Sequence, residues 1–140
     1  MWPPSDPPSP RPAAVSELHV RAGGRRLALP FGVTQEVGPS MPFVRVPGAA
    51  PWLLGLIQWR GNLLSLVDAG MLFGTAPCRP TRLVVLRGLD VEVALAVDEI
   101  LRPDDATQPA DLLLDRPALA VHPAFHPGAA TAAAFAGEAD

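Results

Sequence analysis

Hydrophobic and polar residues alternate with a period of two along much of this chain, and turn-forming residues interrupt the alternation every few positions. The segment 18–31 alternates in this way on both sides of Gly23 and Gly24. A period of two places every second side chain on the same face of a strand. The pattern therefore predicts a half-buried β-hairpin that turns at the two glycines.

A second hairpin is predicted from the most apolar part of the chain, where two short hydrophobic runs flank Arg60, Gly61 and Asn62. Short apolar runs bounded by turn residues are typical of buried strands. Gly61 and Asn62 accept positive φ at low cost, so they are the predicted corner. Arg60 is a permanent cation at the lip of this apolar hairpin, and it is either a solvated turn residue or a group that faces a partner.

The remaining elements are short and separated by proline and glycine. We predict a short strand over 43–46, one helical turn from Pro51, a short helix over 69–73, strands over 82–86 and 91–97, and a last hairpin that pairs 112–114 with 118–121. Many short strands in one small domain predict an all-β barrel or sandwich.

The ends of the chain differ from its middle. Residues 1–14 are rich in proline and 129–140 in alanine, which predicts two tails around one domain at 15–128. PxxP spacing in the first tail is a weak alternative signal for a polyproline ligand. The first residues lack the apolar core of a signal peptide, and no apolar run approaches the roughly 18 residues of a membrane span. These features predict a cytoplasmic protein without membrane insertion.

Charge and cysteine content narrow the possible functions. The 140 residues carry a net charge of −3, and all 11 basic residues are arginines without a basic stripe. Nucleic acid is therefore not an expected partner. The single cysteine, Cys78, cannot form an internal disulfide and cannot by itself build a zinc site.

No catalytic constellation emerges from the sequence. His122 and His126 have the i, i+4 spacing of metal ligands, but Pro127 prevents a regular helix there, so two loop histidines are the preferred interpretation. Asp68 and Asp98 each follow an apolar strand, where they are expected to act as caps or turn formers. We therefore predict a protein that is not an enzyme and that has no metal, cofactor or catalytic residue.

Three segments, in this order, resemble the CheW family of chemotaxis coupling proteins. Residues 29–37 resemble its first motif, and 55–68 resemble its central Asn-Leu-Arg-Gly motif, with Gln58 and Trp59 in place of Asn-Leu. Residues 95–100 read Leu-Ala-Val-Asp-Glu-Ile and resemble its Leu-x-Val-Asp-x-Val motif. The resemblance covers about residues 15–121.

This resemblance implies a fold of two small SH3-like, five-stranded β-barrels that share an apolar core, with short helical turns. The first barrel would contain the strands before Asp68, and the second those from Arg82 to about Ile100. The strand predicted over 118–121 would return to the first barrel.

The resemblance also implies a non-enzymatic adaptor that couples the cytoplasmic tip of a chemoreceptor to the regulatory domain of a CheA-type histidine kinase. Receptor contacts carried over from the family motifs, with Trp59 added as an aromatic contact, are Arg60, Gly61, Glu36, Val97, Ile100 and Trp59. The region after Ile100 is shorter than is usual in the family. The shorter region reduces the expected kinase-binding surface more than the expected receptor-binding surface.

Two other interpretations stay open. One is a divergent CheW-like module of a pilus-motility or other non-flagellar chemosensory pathway, possibly without receptor binding. The other is an enzyme of unknown type, for which the sequence offers no supporting motif.

Overall fold

A computed structural model describes residues 17–102 and 109–125 of the chain. The predicted tails, 1–14 and 129–140, lie outside these ranges. The described residues form nine β-strands and two short α-helices. The strands are β1 Glu17–Ala22, β2 Arg25–Pro30, β3 Thr34–Pro39, β4 Leu53–Trp59, β5 Asn62–Asp68, β6 Arg82–Leu86, β7 Val93–Val97, β8 Glu99–Ile100 and β9 Leu112–Leu113, and the helices are α1 Ala69–Phe73 and α2 Arg116–Ala120.

The strands form two sheets, which we call sheet A and sheet B. Sheet A has four strands in the order β8-β1-β2-β9, and sheet B has five in the order β3-β6-β7-β5-β4. The β1–β2 hairpin turns at Gly23 and Gly24, with φ of 56° and 81°. Both glycines adopt the left-handed conformation that this tight turn requires. The first predicted hairpin is therefore confirmed.

The second predicted hairpin is also present, but its corner lies one residue earlier than predicted. Arg60 and Gly61 form the two-residue turn, with φ of 50° and 83°, and Asn62 already pairs with Trp59 as the first residue of β5. A two-residue hairpin turn that follows the twist of its strands needs positive φ at both positions. The strand register has therefore placed an arginine in a conformation that glycine or asparagine usually occupies.

The core is shared between the two sheets. Buried side chains from both sheets form one hydrophobic cluster. Strand β7 is buried at every position and β6 at every position but the first, because these strands lie inside sheet B. Their continuous apolar sequences follow from burial on both faces.

The all-β prediction is confirmed, but the predicted grouping of the strands is not. Strands β3, β4 and β5 share sheet B with β6 and β7, while β1 and β2 form sheet A with the short late strands β8 and β9. The parallel pairing of β5 with β7 joins segments that the sequence had assigned to separate barrels. Hydrophobic periodicity identifies strands, but it does not identify their neighbours.

Three local predictions are corrected by the structure. Residues 118–121 fall in and just after helix α2, which Asp115 caps by accepting a hydrogen bond from the backbone N–H of Ala118 at 3.0 Å. No last hairpin forms among the described residues, because β9 pairs in parallel with β2. Near Pro51 the chain makes a turn and enters β4, and 43–46 contributes only an isolated bridge between Val44 and Leu56.

Candidate binding site

The side chains of Glu36, Trp59 and Arg60 form a polar cluster, which we call the β3–β4 tie. Arg60 Nε donates to Glu36 Oε1 at 2.8 Å, and Arg60 Nη2 donates to Glu36 Oε2 at 3.0 Å. Trp59 Nε1 also donates to Glu36 Oε1. The hydrogen bonds from Arg60, followed by that from Trp59, lower the pKa of Glu36, and the same pairing raises the pKa of Arg60. The carboxylate therefore stays ionised and holds both neighbours.

The tie connects the two edges of sheet B. Strands β3 and β4 lie at opposite ends of the strand order, yet Glu36 of β3 bonds to Trp59 at the end of β4. The indole ring also lies over Gly38, where an added Cβ would stand 2.4 Å from Trp59 Cη2. The tie and this contact curl sheet B so that its edges meet, which is how a sheet removes exposed edges.

A cleft between the two sheets lies beside β3. Its walls come from β3 and the start of β6 in sheet B, and from β8 and the residue before it in sheet A; the lining residues are Val37, Thr81, Arg82, Asp98, Glu99 and Ile100. Val37 follows Glu36 directly, so its side chain points to the opposite face of β3. The tie and the cleft therefore share one strand but occupy its two faces.

The carboxylate of Asp98, which lines this cleft, bonds to two separate segments of the chain. Its Oδ2 accepts from the backbone N–H of Gly23 at 2.9 Å, and its Oδ1 accepts from the backbone N–H of Arg79 at 2.8 Å. Gly23 belongs to the β1–β2 turn and Arg79 to the segment before β6. One carboxylate thus fixes sheet A to the connection that enters sheet B.

Asp68 has a similar structural role. It is 2% exposed, and its Oδ1 accepts from the backbone N–H groups of Met71 and Cys78, both at 3.0 Å. The first bond caps helix α1 and the second holds the following loop. Asp68 is therefore the cap that the sequence predicts, whereas the carboxylate of Asp98 joins segments distant in the chain and forms neither a cap nor a local turn.

The six predicted contact residues lie in three settings. Four of them form the tie and its turn, namely Glu36, Trp59, Arg60 and Gly61. Ile100 is half-buried and lines the cleft. Val97 is 0% exposed within β7, so it belongs to the core and not to a contact surface.

Among the six residues that line the cleft, sequence reasoning named only Ile100 as a contact, and it missed Val37 and Arg82 in particular. Val37 is 40% exposed and lines the cleft together with Ile100, and Arg82 is exposed at the start of β6. A signal for Val37 existed, because its alternation with Glu36 places the two side chains on opposite faces of one strand. Nothing in the sequence marked Arg82, since only the packing of β6 beside β8 brings it to the cleft.

His122 lies in an aromatic cluster. Its ring centroid lies 5.8 Å from that of Trp52, 6.3 Å from that of Phe73 and 6.2 Å from that of Phe125. Its Nδ1 accepts from the backbone N–H of Ala124 at 3.0 Å, and burial lowers its pKa. These contacts give His122 a packing role. His126 lies outside the described residues, and within residues 17–102 and 109–125 no three metal-ligating side chains cluster.

A family model for the CheW-like domain matches residues 17–108. The chain belongs to the CheW-like domain family. CheW-like domains are non-enzymatic scaffolds of chemosensory signal transduction, and residues 17–108 form a scaffold domain of that kind. No helix of the described part is long and apolar enough to cross a membrane.

Two individual proteins are similar to this chain. Protein PilI of Pseudomonas aeruginosa is 36% identical over 88 residues, which cover 61% of this chain and 49% of that protein. The match therefore spans about half the length of this curated relative. The crystal structure of the scaffolding protein TtCheW from Thermoanaerobacter tengcongensis matches with a TM-score of 0.55 and 18% identity over 61% of each chain. At that identity the match shows the shared fold.

Proposed function

We propose that this adaptor couples the cytoplasmic tip of a chemoreceptor to a CheA-type histidine kinase in a pilus-motility chemosensory pathway. The observation that carries the proposal is the cleft between the two sheets, which has an apolar side chain on each wall. An apolar face of a helix placed in such a groove is a standard recognition mode. The family resemblance implies that the receptor tip is a helical hairpin, and one helix of that hairpin is the proposed occupant of the cleft.

The tie prepares the cleft for binding. Strand β3 carries Glu36 on one face and Val37 on the other, so the hydrogen bonds to Trp59 and Arg60 fix the strand that presents Val37. A wall that is already ordered loses less conformational freedom when a partner docks. The adaptor thus supplies binding free energy and rigid geometry.

Arg60 itself is an expected contact. Its side chain is 70% exposed although two of its nitrogens bond to Glu36, so its remaining donors are accessible. Gly61 beside it is exposed and leaves room for a partner backbone. We expect Arg60→Ala to weaken receptor binding without unfolding the protein. Arg60→Lys would be partly tolerated, because lysine keeps the charge but loses the fork of donors.

The pathway is proposed from similarity. The match to Protein PilI favours a pilus-motility system over a flagellar one. Deleting the gene would therefore abolish pilus-driven movement on surfaces and spare swimming. The reverse phenotype would assign the adaptor to a flagellar pathway.

The receptor half of the proposal is tested by two matched valine substitutions. Val37 lines the cleft, whereas Val44 is 72% exposed and does not line it. Full burial of a valine side chain contributes about 1.5–3 kcal/mol, and docking can bury only the 40% of Val37 that is exposed. Val37→Gln is therefore expected to weaken binding to a receptor tip fragment by roughly threefold to tenfold. Val44→Gln serves as the control and is expected to bind like the parent protein.

The kinase half needs a separate titration with the regulatory domain of the kinase. We expect the parent protein and Val37→Gln to bind that domain equally, because the cleft is reserved for the receptor. A folded protein that binds neither the receptor fragment nor the kinase domain would contradict the proposed function. Such a result would favour a CheW-like module with other partners.

A further inference from the structure

Most polar groups that line the cleft are already used within the protein. Both carboxylate oxygens of Asp98 accept backbone hydrogen bonds, and the hydroxyl of Thr81 donates to the carbonyl oxygen of Asp98. The carboxylate of Glu99 accepts from Arg21 Nε at 2.8 Å. Asp98 and Thr81 therefore have little remaining capacity to select a partner, and Glu99 is already paired with a cation of this protein.

Arg82 differs from its neighbours in the cleft. Its side chain makes no hydrogen bond or ion pair with any residue in 17–102 or 109–125. Its backbone is nevertheless fixed, because Arg82 pairs with Pro39 of β3 on one side and with Val97 of β7 on the other. The cleft thus presents an uncommitted guanidinium on a rigid strand.

We propose that Arg82 determines specificity in this cleft by pairing with a carboxylate that the docked helix carries beside its apolar stripe. This inference rests on the proposed function, since it names the chemistry of the partner at the same cleft. A helix that covered Arg82 with apolar side chains alone would leave a desolvated and unpaired charge, which is strongly unfavourable. An aspartate or glutamate at that position removes this penalty and can form two parallel hydrogen bonds with the guanidinium.

The surroundings of Arg82 favour a single carboxylate over a polyanion. Asp98 and Glu99 line the same cleft, so a string of phosphates would meet two carboxylates beside one cation. A single side-chain carboxylate brings one negative charge into this setting, whereas a polyanion brings several. Apolar residues three or four positions away on the same helix face would then reach Val37 and Ile100.

The test measures affinity for a receptor tip fragment with four variants, Arg82→Gln, Arg82→Lys, Arg82→Glu and Arg45→Glu. Arg45 is exposed, lies over the ring of Phe43 and does not line the cleft, so it controls for net charge. We expect losses of about tenfold for Arg82→Gln and about a hundredfold for Arg82→Glu, because one removes a close charge pair and the other reverses it. Arg82→Lys would lose less, and Arg45→Glu would change affinity less than about twofold.

A charge exchange identifies the partner group. Each acidic residue of the fragment is changed in turn to arginine, and each variant is titrated with Arg82→Glu. One of these exchanges is expected to restore most of the lost affinity, and the Arg82 effect is expected to shrink in high salt. Normal binding by Arg82→Glu, or rescue by none of the exchanges, would overturn the inference while leaving receptor binding itself established. No binding by the parent protein would overturn the proposed function together with the inference.

Discussion

Replacing Asp98 tests whether one carboxylate joins the two sheets. In Asp98→Ala the backbone N–H groups of Gly23 and Arg79 lose their acceptor. Asp98→Asn keeps the shape but offers only one acceptor oxygen, and its amide NH₂ group would face one of the two N–H donors. Both variants should therefore be destabilised, and alanine should be the more severe change.

The magnitude follows from the setting of the two bonds. A hydrogen bond to a charged group contributes roughly 1.5–3 kcal/mol, and an unsatisfied buried donor costs about 1–3 kcal/mol. The bond from Gly23 is partly buried, so most of that cost remains, whereas the bond from Arg79 is exposed and water can replace the carboxylate. We expect Asp98→Ala to lower the free energy of unfolding by about 2–4 kcal/mol.

Urea denaturation measures this loss. With a slope of about 2 kcal/mol per molar urea, the midpoint should fall by about 1–2 M. Glu99→Gln is the matched control, because its carboxylate pairs with Arg21 at the surface, where both side chains are more than half exposed. An exposed pair contributes about 0–1 kcal/mol. Equal destabilisation by Asp98→Ala and Glu99→Gln would refute the view that the hydrogen bonds of Asp98 hold the two sheets together.

Three further predictions follow from the same structure. Gly38→Ala should destabilise the fold by about 1–3 kcal/mol, because its methyl group would collide with the indole ring of Trp59. In the same thermal denaturation, Gly32→Ala should be nearly neutral, because nothing lies within 4 Å of its added Cβ. Burial raises the pKa of the Cys78 thiol to about 12, so a thiol reagent should modify it only on unfolding, and rapid modification of the native protein would contradict this. The pKa of Glu36 is lowered in the folded state, chiefly by the hydrogen bonds from Arg60. The tie should therefore be complete at any pH above the ordinary glutamate pKa of about 4.3. It should be lost as the pH falls through the lower pKa of the folded state. A carboxyl-carbon NMR titration of Glu36 with a midpoint at or above the ordinary value would be evidence against the tie.

Both long hairpins could be predicted from the sequence because their signals are local. Alternation on either side of Gly23 and Gly24 identified β1 and β2, and two apolar runs around Arg60 identified β4 and β5. The exact corner could not be predicted, because the register depends on which faces pack in the core. That packing moved the turn to Arg60 and Gly61.

Short elements near the end of the described chain were harder to predict. The alternation over 118–121 fits a strand, yet these residues follow Asp115, which caps helix α2. Pro117 in the first turn also favours a helix, since proline is well accommodated there. Local capping therefore decided the structure where the hydrophobic pattern was too short to do so.

The candidate site was predicted in part. Glu36 and Arg60 belong to two different motifs and lie 24 positions apart in the chain, and the structure joins them through hydrogen bonds. Ile100 lines the cleft, whereas Val97, three residues before it in the same motif, is fully buried. A family motif marks a region of the chain, but only burial separates its contacts from its core.

The sequence by itself determined the all-β class, the two long hairpins and the resemblance to the CheW family, because these depend on periodicity, turn chemistry and short motifs. Only the tertiary structure decided that β5 pairs with β7, that Glu36 bonds to Trp59 across sheet B, and that Arg82 and Ile100 line one cleft. The physical reason is that strand partners are chosen by burying apolar faces from distant parts of the chain. A site built between sheets exists only after that choice has been made.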